Sequence, residues 1–492
     1  MKRVEELQLS NSFARLPEIF YQRLPVTPLR GAHLVAFNSE AARLIDLHPG
    51  EAKREDFHAF FNGEKELPGS EPLATIYAGH QFGQLVPQLG DGRAILLGEV
   101  TNEAGERWEL QLKGAGITPF SRRGDGRAVL RSTIREYLCS EAMYGLGIPT
   151  TRALVMTGSR EEVYRKQIET GAMLLRMAPS HVRFGSFELF YYRREIEPIR
   201  QLADYVIAHH YPELVNHETK YLELFRQVTL RSAEMISQWQ QVGFAHGVMN
   251  TDNMSILGLT LDYGPFGFID RYEPGYICNH TDQYGRYAFD QQPAIGGWNL
   301  SKLGQALLPI LEGEASEAAS AANAILGEYE PHLQQHYHRG MLKKLGLTKE
   351  REGDKVLIDE LLKLLDINRI DYTLFFRALC DFDESKKQSL LRDEFLDRNG
   401  FDSWAKRYAE RLQAEESQRK QRQAEMKQVN PKYILRNYLA QQAIEMAEAG
   451  DYSEIERLHQ LLQRPFDEQP ENEHYAAAPP EWSSELEISC SS

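Results

Sequence analysis

Leu89-Gly90-Asp91-Gly92-Arg93 leads straight into Ala94-Ile95-Leu96-Leu97-Gly98-Glu99-Val100. After the turn-like Asn102-Glu103-Ala104-Gly105 comes Trp108-Glu109-Leu110-Gln111-Leu112-Lys113. In that last run Trp108, Leu110 and Leu112 alternate with Glu109, Gln111 and Lys113, the period of two that sends successive side chains to opposite faces of a strand. We read a Gly-rich turn followed by antiparallel strands. A second Gly- and Arg-rich stretch, Lys113-Gly114-Ala115-Gly116 to Arg122-Arg123-Gly124-Asp125-Gly126-Arg127, precedes a helical pattern from about 128 to 145, which stops near Gly145 and Gly147. Further strand-like pieces are Ala153-Leu154-Val155-Met156 and Ala172-Met173-Leu174-Leu175-Arg176.

Beyond about 186 the pattern is mainly helical. Leu357, Leu361, Leu364 and Leu365 repeat at the spacing of a buried helix face, and Ser453 with Glu456 has the spacing of a capping box. The region from about 404 to 428 is a densely charged helix candidate with a solvated face. Residues 1 to about 70 have no dominant period and read as an extension wrapped on the main body. From Pro465 onward the chain is acidic, with no Lys or Arg, and is expected to be a tail or a surface arm. The expected fold class is therefore α+β: an N-terminal extension over 1–75, a small β-rich N-lobe over 76–185, a mostly helical C-lobe over 186–464 and an acidic tail over 465–492.

Composition agrees with two lobes, because a chain of 492 residues exceeds the ~250–300 at which single cores stop growing. The 42% hydrophobic fraction excludes a wholly disordered chain. With 56 Lys and Arg against 71 Asp and Glu, the formal charge of −15 disfavours non-specific attraction to nucleic acid or anionic membranes. The start, with Glu5 and Glu6 among basic residues, has no signal-peptide core, and no run reaches the ~18 apolar residues a spanning helix needs. Cys139, Cys278, Cys380 and Cys490 lack the paired spacing of a zinc site. A reducing, cytoplasmic setting is the expectation.

The order of polar landmarks points to chemistry. It runs Gly90-Asp91-Gly92, Lys113 closing a strand, Glu136 on the next helix, His246-Gly247-Val248-Met249-Asn250-Thr251-Asp252-Asn253, then Asp262-Tyr263-Gly264. In a kinase-type nucleotide site a Gly-rich turn brings backbone amides to phosphate, a strand lysine meets the phosphates, a helix glutamate fixes that lysine, and an Asn and an Asp hold the metal. The third residue of the pattern HRDxxxxN is an aspartate that accepts the substrate's proton; here that position is Val248, which cannot. Asp252 is the nearest carboxylate able to replace it, or to orient metal-bound water. Hard oxygen ligands such as Asn253 and Asp262 suit Mg²⁺ or Mn²⁺. Arg93, Arg122, Arg123, Arg127, Arg176 and Arg183 crowd the first lobe, a local positive funnel for polyphosphate on an acidic molecule.

At these residues the sequence resembles the selenoprotein O family, also called the YdiU family, of pseudokinase-fold protein adenylyltransferases. The similarity runs through Tyr77-Ala78-Gly79-His80-Gln81-Phe82-Gly83, Gly90-Asp91-Gly92-Arg93-Ala94, Leu112-Lys113-Gly114, Arg122 to Arg127, Arg176-Met177-Ala178, His181-Val182-Arg183-Phe184-Gly185 and His246 to Asn253. The ending Cys490-Ser491-Ser492 resembles the family's C-terminus, where some members carry selenocysteine at the position of Cys490.

The resemblance implies a protein-kinase-like bilobal fold that binds ATP in an inverted orientation and transfers AMP to Ser, Thr or Tyr hydroxyls of proteins. It implies Asp252 as proton acceptor, Asn253 and Asp262 as Mg²⁺ ligands, and Lys113 paired with Glu136 as phosphate contact. Gly90, Gly92, Arg93, Asp125, Gly126, Arg176 and Arg183 match its nucleotide-binding positions. UMP transfer from UTP is open to such a family. A conventional kinase using the γ-phosphate, and a silent nucleotide-binding pseudokinase, are the competing readings. If the tail folds back over the active-site side, a Cys278–Cys490 disulfide would couple activity to redox state.

Overall fold

The computed structural model describes residues 1–383, 390–415 and 418–488. Its organising element is a nine-stranded antiparallel sheet. The strands are β1 (Tyr21–Arg23), β2 (His33–Phe37), β3 (Leu73–Gln81), β4 (Gln84–Gly90), β5 (Ala94–Thr101), β6 (Arg107–Lys113), β7 (Ala128–Val129), β8 (Arg152–Tyr164) and β9 (Ile168–Ala178). Their order is β1-β3-β5-β6-β9-β8-β2, with β4 added to β3 and β7 to β9. The β5–β6 hairpin expected from the alternating pattern is present, in a register that opposes Ala94 to Lys113 and Val100 to Trp108.

Both faces of the sheet are covered, which explains why β5 is a nearly unbroken apolar run. Ile95, Leu97, Leu110, Leu112, Leu175 and Met177 pack with Val4, Leu7, Leu9, Ile45 and Phe57 of the N-terminal segment. Leu96, Ala153, Met156 and Leu174 face the other way, toward Leu130, Ile134, Tyr137 and Leu138 of the helix Leu130–Gly145. The N-terminal residues also contribute β1 and β2 to the sheet, so the wrap is by main-chain pairing as well as by side chains.

The alternation in β6 has an unexpected outcome. Its polar face does not meet bulk water: Glu109 and Gln111 are buried, and each is hydrogen-bonded by a distant segment. Glu109 accepts from the backbone N–H of His181 at 2.7 Å and meets its ring Nδ1 at 2.8 Å, while Gln111 accepts from Arg176 Nε at 2.8 Å. These bonds fix the chain between β9 and the helix Phe184–Arg193, which includes Arg183.

The rest is mainly helical, with one short antiparallel pair, Phe244–Ala245 with Gly267–Phe268. Lys220–Val242 packs along Ala315–Lys344 and beside Gln292–Leu307, joined to the sheet by one continuous core. A second core holds Leu357, Leu361 and Leu365 of the helix Asp354–Asn368, with Leu364 at its margin. The charged region expected as one helix is two, Arg398–Gln413 and Arg419–Lys427. Its inner side is apolar, because Trp404, Tyr408 and Leu412 recur every four residues and are buried against that core.

No capping box forms at Ser453. That residue lies inside the helix Ser453–Leu462, and its N–H is taken by the Asp451 carboxylate at 2.9 Å, so an Asx turn replaces the box. The acidic tail lies on the surface as an arm: Glu468 pairs with Arg377 and Lys432, Tyr475 donates to Glu454 at 2.8 Å, and the Ile488 carbonyl accepts from His280 N at 2.9 Å. Cys278 is buried two residues before His280. Cys490, its expected disulfide partner, lies outside the described residues. Among the described residues no helix is long and apolar enough to cross a membrane.

Candidate active site

The turn from β4 into β5 forms the roof of the site. Gly90 has φ of 152°, and a Cβ there would come within 2.5 Å of the Phe120 ring and 2.8 Å of the Thr75 carbonyl. Only glycine lets the turn lie against the second Gly-rich loop. Asp91 is buried, and its carboxylate accepts from Thr75 N at 3.0 Å and Thr75 Oγ1 at 2.7 Å, so it holds the turn together. Thr118 Oγ1 donates to the Asp91 carbonyl at 2.7 Å and Ser121 Oγ to the Gly92 carbonyl, which stitches the two loops.

Behind the roof is a web of buried charge. Lys113, at the end of β6, holds Glu136 Oε2 at 2.5 Å and Asp262 Oδ1 at 3.3 Å. Arg176 of β9 joins the same two carboxylates, meeting Glu136 Oε1 at 3.0 Å and Asp262 Oδ1. Arg183 donates to Asp262 Oδ2 and, at 2.7 Å, to the Asp252 carbonyl. Burial alone would raise the Asp262 carboxyl, but the charges of Arg176, Arg183 and Lys113 outweigh it and hold it well below the usual carboxylate range. Burial lowers the Lys113 ammonium, opposed by Glu136 and Asp262. Asp262 has a left-handed backbone, φ 60°, the kind of strained geometry that collects at functional sites.

The loop from His246 to Asn253 faces this web. His246 Nε2 donates to the Leu261 carbonyl at 2.9 Å, and Asn299 Nδ2 to the Met249 carbonyl at 3.0 Å. Asn253 Nδ2 donates to the Val248 carbonyl at 3.0 Å, which fixes the amide and leaves its oxygen as acceptor. The end of β3 docks on the loop: His80 N donates to Thr251 Oγ1 at 2.7 Å and Gln81 Nε2 to Asp252 Oδ2 at 3.1 Å. Asp252 Oδ1 is buried and has no hydrogen-bond partner among the described residues. Burial pushes the Asp252 carboxyl up to about 6, against the pull of Gln81 and Arg183.

Between the roof and the loop is a cleft of about 610 Å³. Gly90, Gly92, Arg93, Lys113, Asp125, Gly126, Arg176, Asp252, Asn253 and Asp262 line it. Glu136 and Arg183 stand behind the lining, bonded to Lys113 and Asp262. The arginines divide. Arg93, Arg122 and Arg127 all border the cleft, but the Arg127 guanidinium is taken by Glu161 at 2.9 Å and the Thr27 and Pro28 carbonyls at 2.6 and 3.0 Å, an architectural role. Asp125 grips Arg165 through both oxygens, at 2.7 and 3.0 Å, and so brings to the cleft a cation that no motif had singled out.

Gly79 and Gln81 were also missed as contributors to the site; their only signal was the run Tyr77 to Gly83. A Cβ on Gly79 would sit 2.4 Å from Asp252 Oδ1 and 2.8 Å from its Cβ and Cγ. Gly79→Ala is therefore expected to displace Asp252 and slow transfer at least tenfold with nucleotide affinity little changed. Parallel turnover and nucleotide-titration measurements check this, and an unchanged rate would remove Gly79 from any positioning role.

A family model described as protein adenylyltransferase SelO matches residues 3–463. The chain belongs to the SelO family. A protein nucleotidyltransferase YdiU of Thiobacillus denitrificans is 56% identical over 497 residues, covering 100% of both chains. Its namesakes from Myxococcus xanthus and Thioalkalivibrio sulfidiphilus are 55% identical over 494 residues and 56% over 492, again over whole lengths. SelO-family proteins are nucleotidyltransferases, and the family implies a nucleotide substrate and a divalent metal. The residues here fit such an ion: the Asn253 amide oxygen and the Asp262 carboxylate are hard oxygen donors at one wall of the cleft.

Proposed function

We propose that this SelO-family chain is a protein adenylyltransferase with a protein-kinase-like bilobal fold, ATP lying between an N-lobe over 76–185 and a helical C-lobe over 186–464, with 1–75 and 465–492 as extensions. A Ser, Thr or Tyr hydroxyl of a protein attacks the α-phosphorus. The new O–P bond forms as the bond to pyrophosphate breaks, and the hydroxyl proton passes to Asp252. The observation that carries this reading is Asp252 itself: a buried carboxylate at the wall of the cleft, bonded there by Gln81, where the usual kinase base position is Val248.

In this reading Asn253 and Asp262 hold Mg²⁺ or Mn²⁺, which when bound neutralises charge on the phosphates. Lys113, oriented by Glu136, meets a phosphate. Gly90, Gly92 and Gly126 let backbone approach the nucleotide, and Arg93, Arg176, Arg183 and the Asp125–Arg165 pair supply positive charge for the departing pyrophosphate. UTP is a second donor to consider, because the relatives are named for nucleotidyl transfer without a specified base.

The test is transfer from α-labelled and, separately, γ-labelled ATP with Mg²⁺. Label is expected on protein from the α position alone; label from the γ position alone would overturn AMP transfer in favour of a kinase. α-Labelled UTP in parallel settles the base.

A further inference from the structure

Outside the cleft, the 23-residue helix Lys220–Val242 and the 30-residue helix Ala315–Lys344 lie against each other. His332 and His336 are one turn apart on the second helix and share a face; Glu234 projects from the first. His332 Nε2 is 2.9 Å and His336 Nε2 3.5 Å from the same carboxylate oxygen, Glu234 Oε1. The two imidazole rings are 4.7 Å apart, and the three donor atoms all lie within 4.8 Å of one another.

We infer that Glu234, His332 and His336 form a binding site for a divalent transition-metal ion, with Zn²⁺ the best match. Tetrahedral zinc holds imidazole nitrogen and carboxylate oxygen at about 2.0–2.2 Å, which sets donor atoms roughly 3.3–3.5 Å apart. The observed spacings need only small side-chain adjustments to reach that. Two histidines one helical turn apart plus a carboxylate from a neighbouring element is the ligand set that nitrogen-preferring metals take, whereas the cleft offers the all-oxygen set of Mg²⁺. Gln238, one turn beyond Glu234, has a buried amide oxygen with no hydrogen-bond partner among the described residues. The next turn, Gln241, donates to the His336 carbonyl at 3.4 Å, so this side of the first helix looks onto the histidine turn. The three ligand side chains are 24%, 35% and 43% exposed, which leaves an entry path and an open fourth position.

Such an ion would tie together the two helices. Lys220–Val242 runs through Gly243 directly into Phe244–Ala245 and the His246–Asn253 loop, so the tie would stiffen the support of the active site. Binding to the folded chain alone raises stability in proportion to the logarithm of free metal over its dissociation constant.

The full chain, stripped with chelator, is dialysed against Zn²⁺ in excess Mg²⁺, its zinc content measured and its thermal melt recorded. One zinc per chain and a higher melting temperature are expected. His332→Ala and His336→Ala should each weaken zinc binding at least tenfold, while Asp262→Asn, in the cleft, should leave it unchanged. The inference is overturned if the wild type retains no zinc, if the double histidine variant retains it, or if Asp262→Asn loses it. Should the double variant fail to melt cooperatively, the near-isosteric Glu234→Gln decides: weaker binding supports the site, and unchanged binding overturns it.

Discussion

Asp262→Ala is expected to abolish transfer, the largest loss any single substitution in this chain should produce. Two effects coincide. The carboxylate is the proposed metal holder, and it is also the acceptor shared by Lys113, Arg176 and Arg183. Without it Lys113 and Arg176 are left to share Glu136, and Arg183 keeps the Asp252 carbonyl but loses its carboxylate; breaking a buried ionic group typically costs about 3–5 kcal/mol. The alanine variant therefore conflates chemistry with folding. Asp262→Asn separates them, since the amide fills the same space and keeps an oxygen acceptor for the arginines, yet lacks the charge that holds a divalent ion. Thermal melts of both variants, read beside transfer from α-labelled ATP, are the measurement. A folded Asp262→Asn protein with wild-type transfer would take Asp262 out of the reaction.

Asp252→Asn should slow transfer by roughly 10²–10⁴-fold, the usual contribution of a positioned proton acceptor. Unlike most active-site substitutions it should also raise stability in the nucleotide-free protein. Burial moves the Asp252 carboxyl from 3.8 up to about 6, so the fold favours its neutral form. That preference is fully present below about pH 4 and is lost as pH rises through about 6, after which the wild type keeps a charge buried. The asparagine never does. At pH 8 the variant is expected to be more stable by at most roughly 3 kcal/mol, and the gap should close toward pH 4. Paired melts across that range check the sign, and a variant less stable than the wild type at pH 8 would contradict the account of burial.

How much could be read in advance depended on distance along the chain. The β5–β6 hairpin and the following helix were legible, because alternation and glycine stops are local signals. The β8–β9 hairpin was under-read as two short pieces: Arg152–Tyr164 and Ile168–Ala178 are far longer than their apolar centres, since their outer halves, with Glu161, Glu162, Glu169 and Thr170, carry no apolar run. The polar side of β6 illustrates the limit most clearly. Glu109, Gln111 and Lys113 have the pattern of a solvated face, and nothing nearby in sequence reveals that His181, Arg176 and Glu136 arrive to bury them. Lys113, Glu136, Asn253 and Asp262 stood out through their order, which a nucleotide site explains. Gly79, Gln81 and Arg165 did not, since a strand end and a hairpin tip become functional only once folding sets them beside Asp252 and Asp125.

The pairing of β2 with β8 has a consequence for biosynthesis. His33 lies opposite Gly158 and Phe37 opposite Val155, so a ribosome must make more than a hundred further residues before this early ribbon has anything to zip onto. The β2 ribbon is thus among the later parts to settle, and a nascent chain arrested short of β8 would carry an adhesive, unmatched strand.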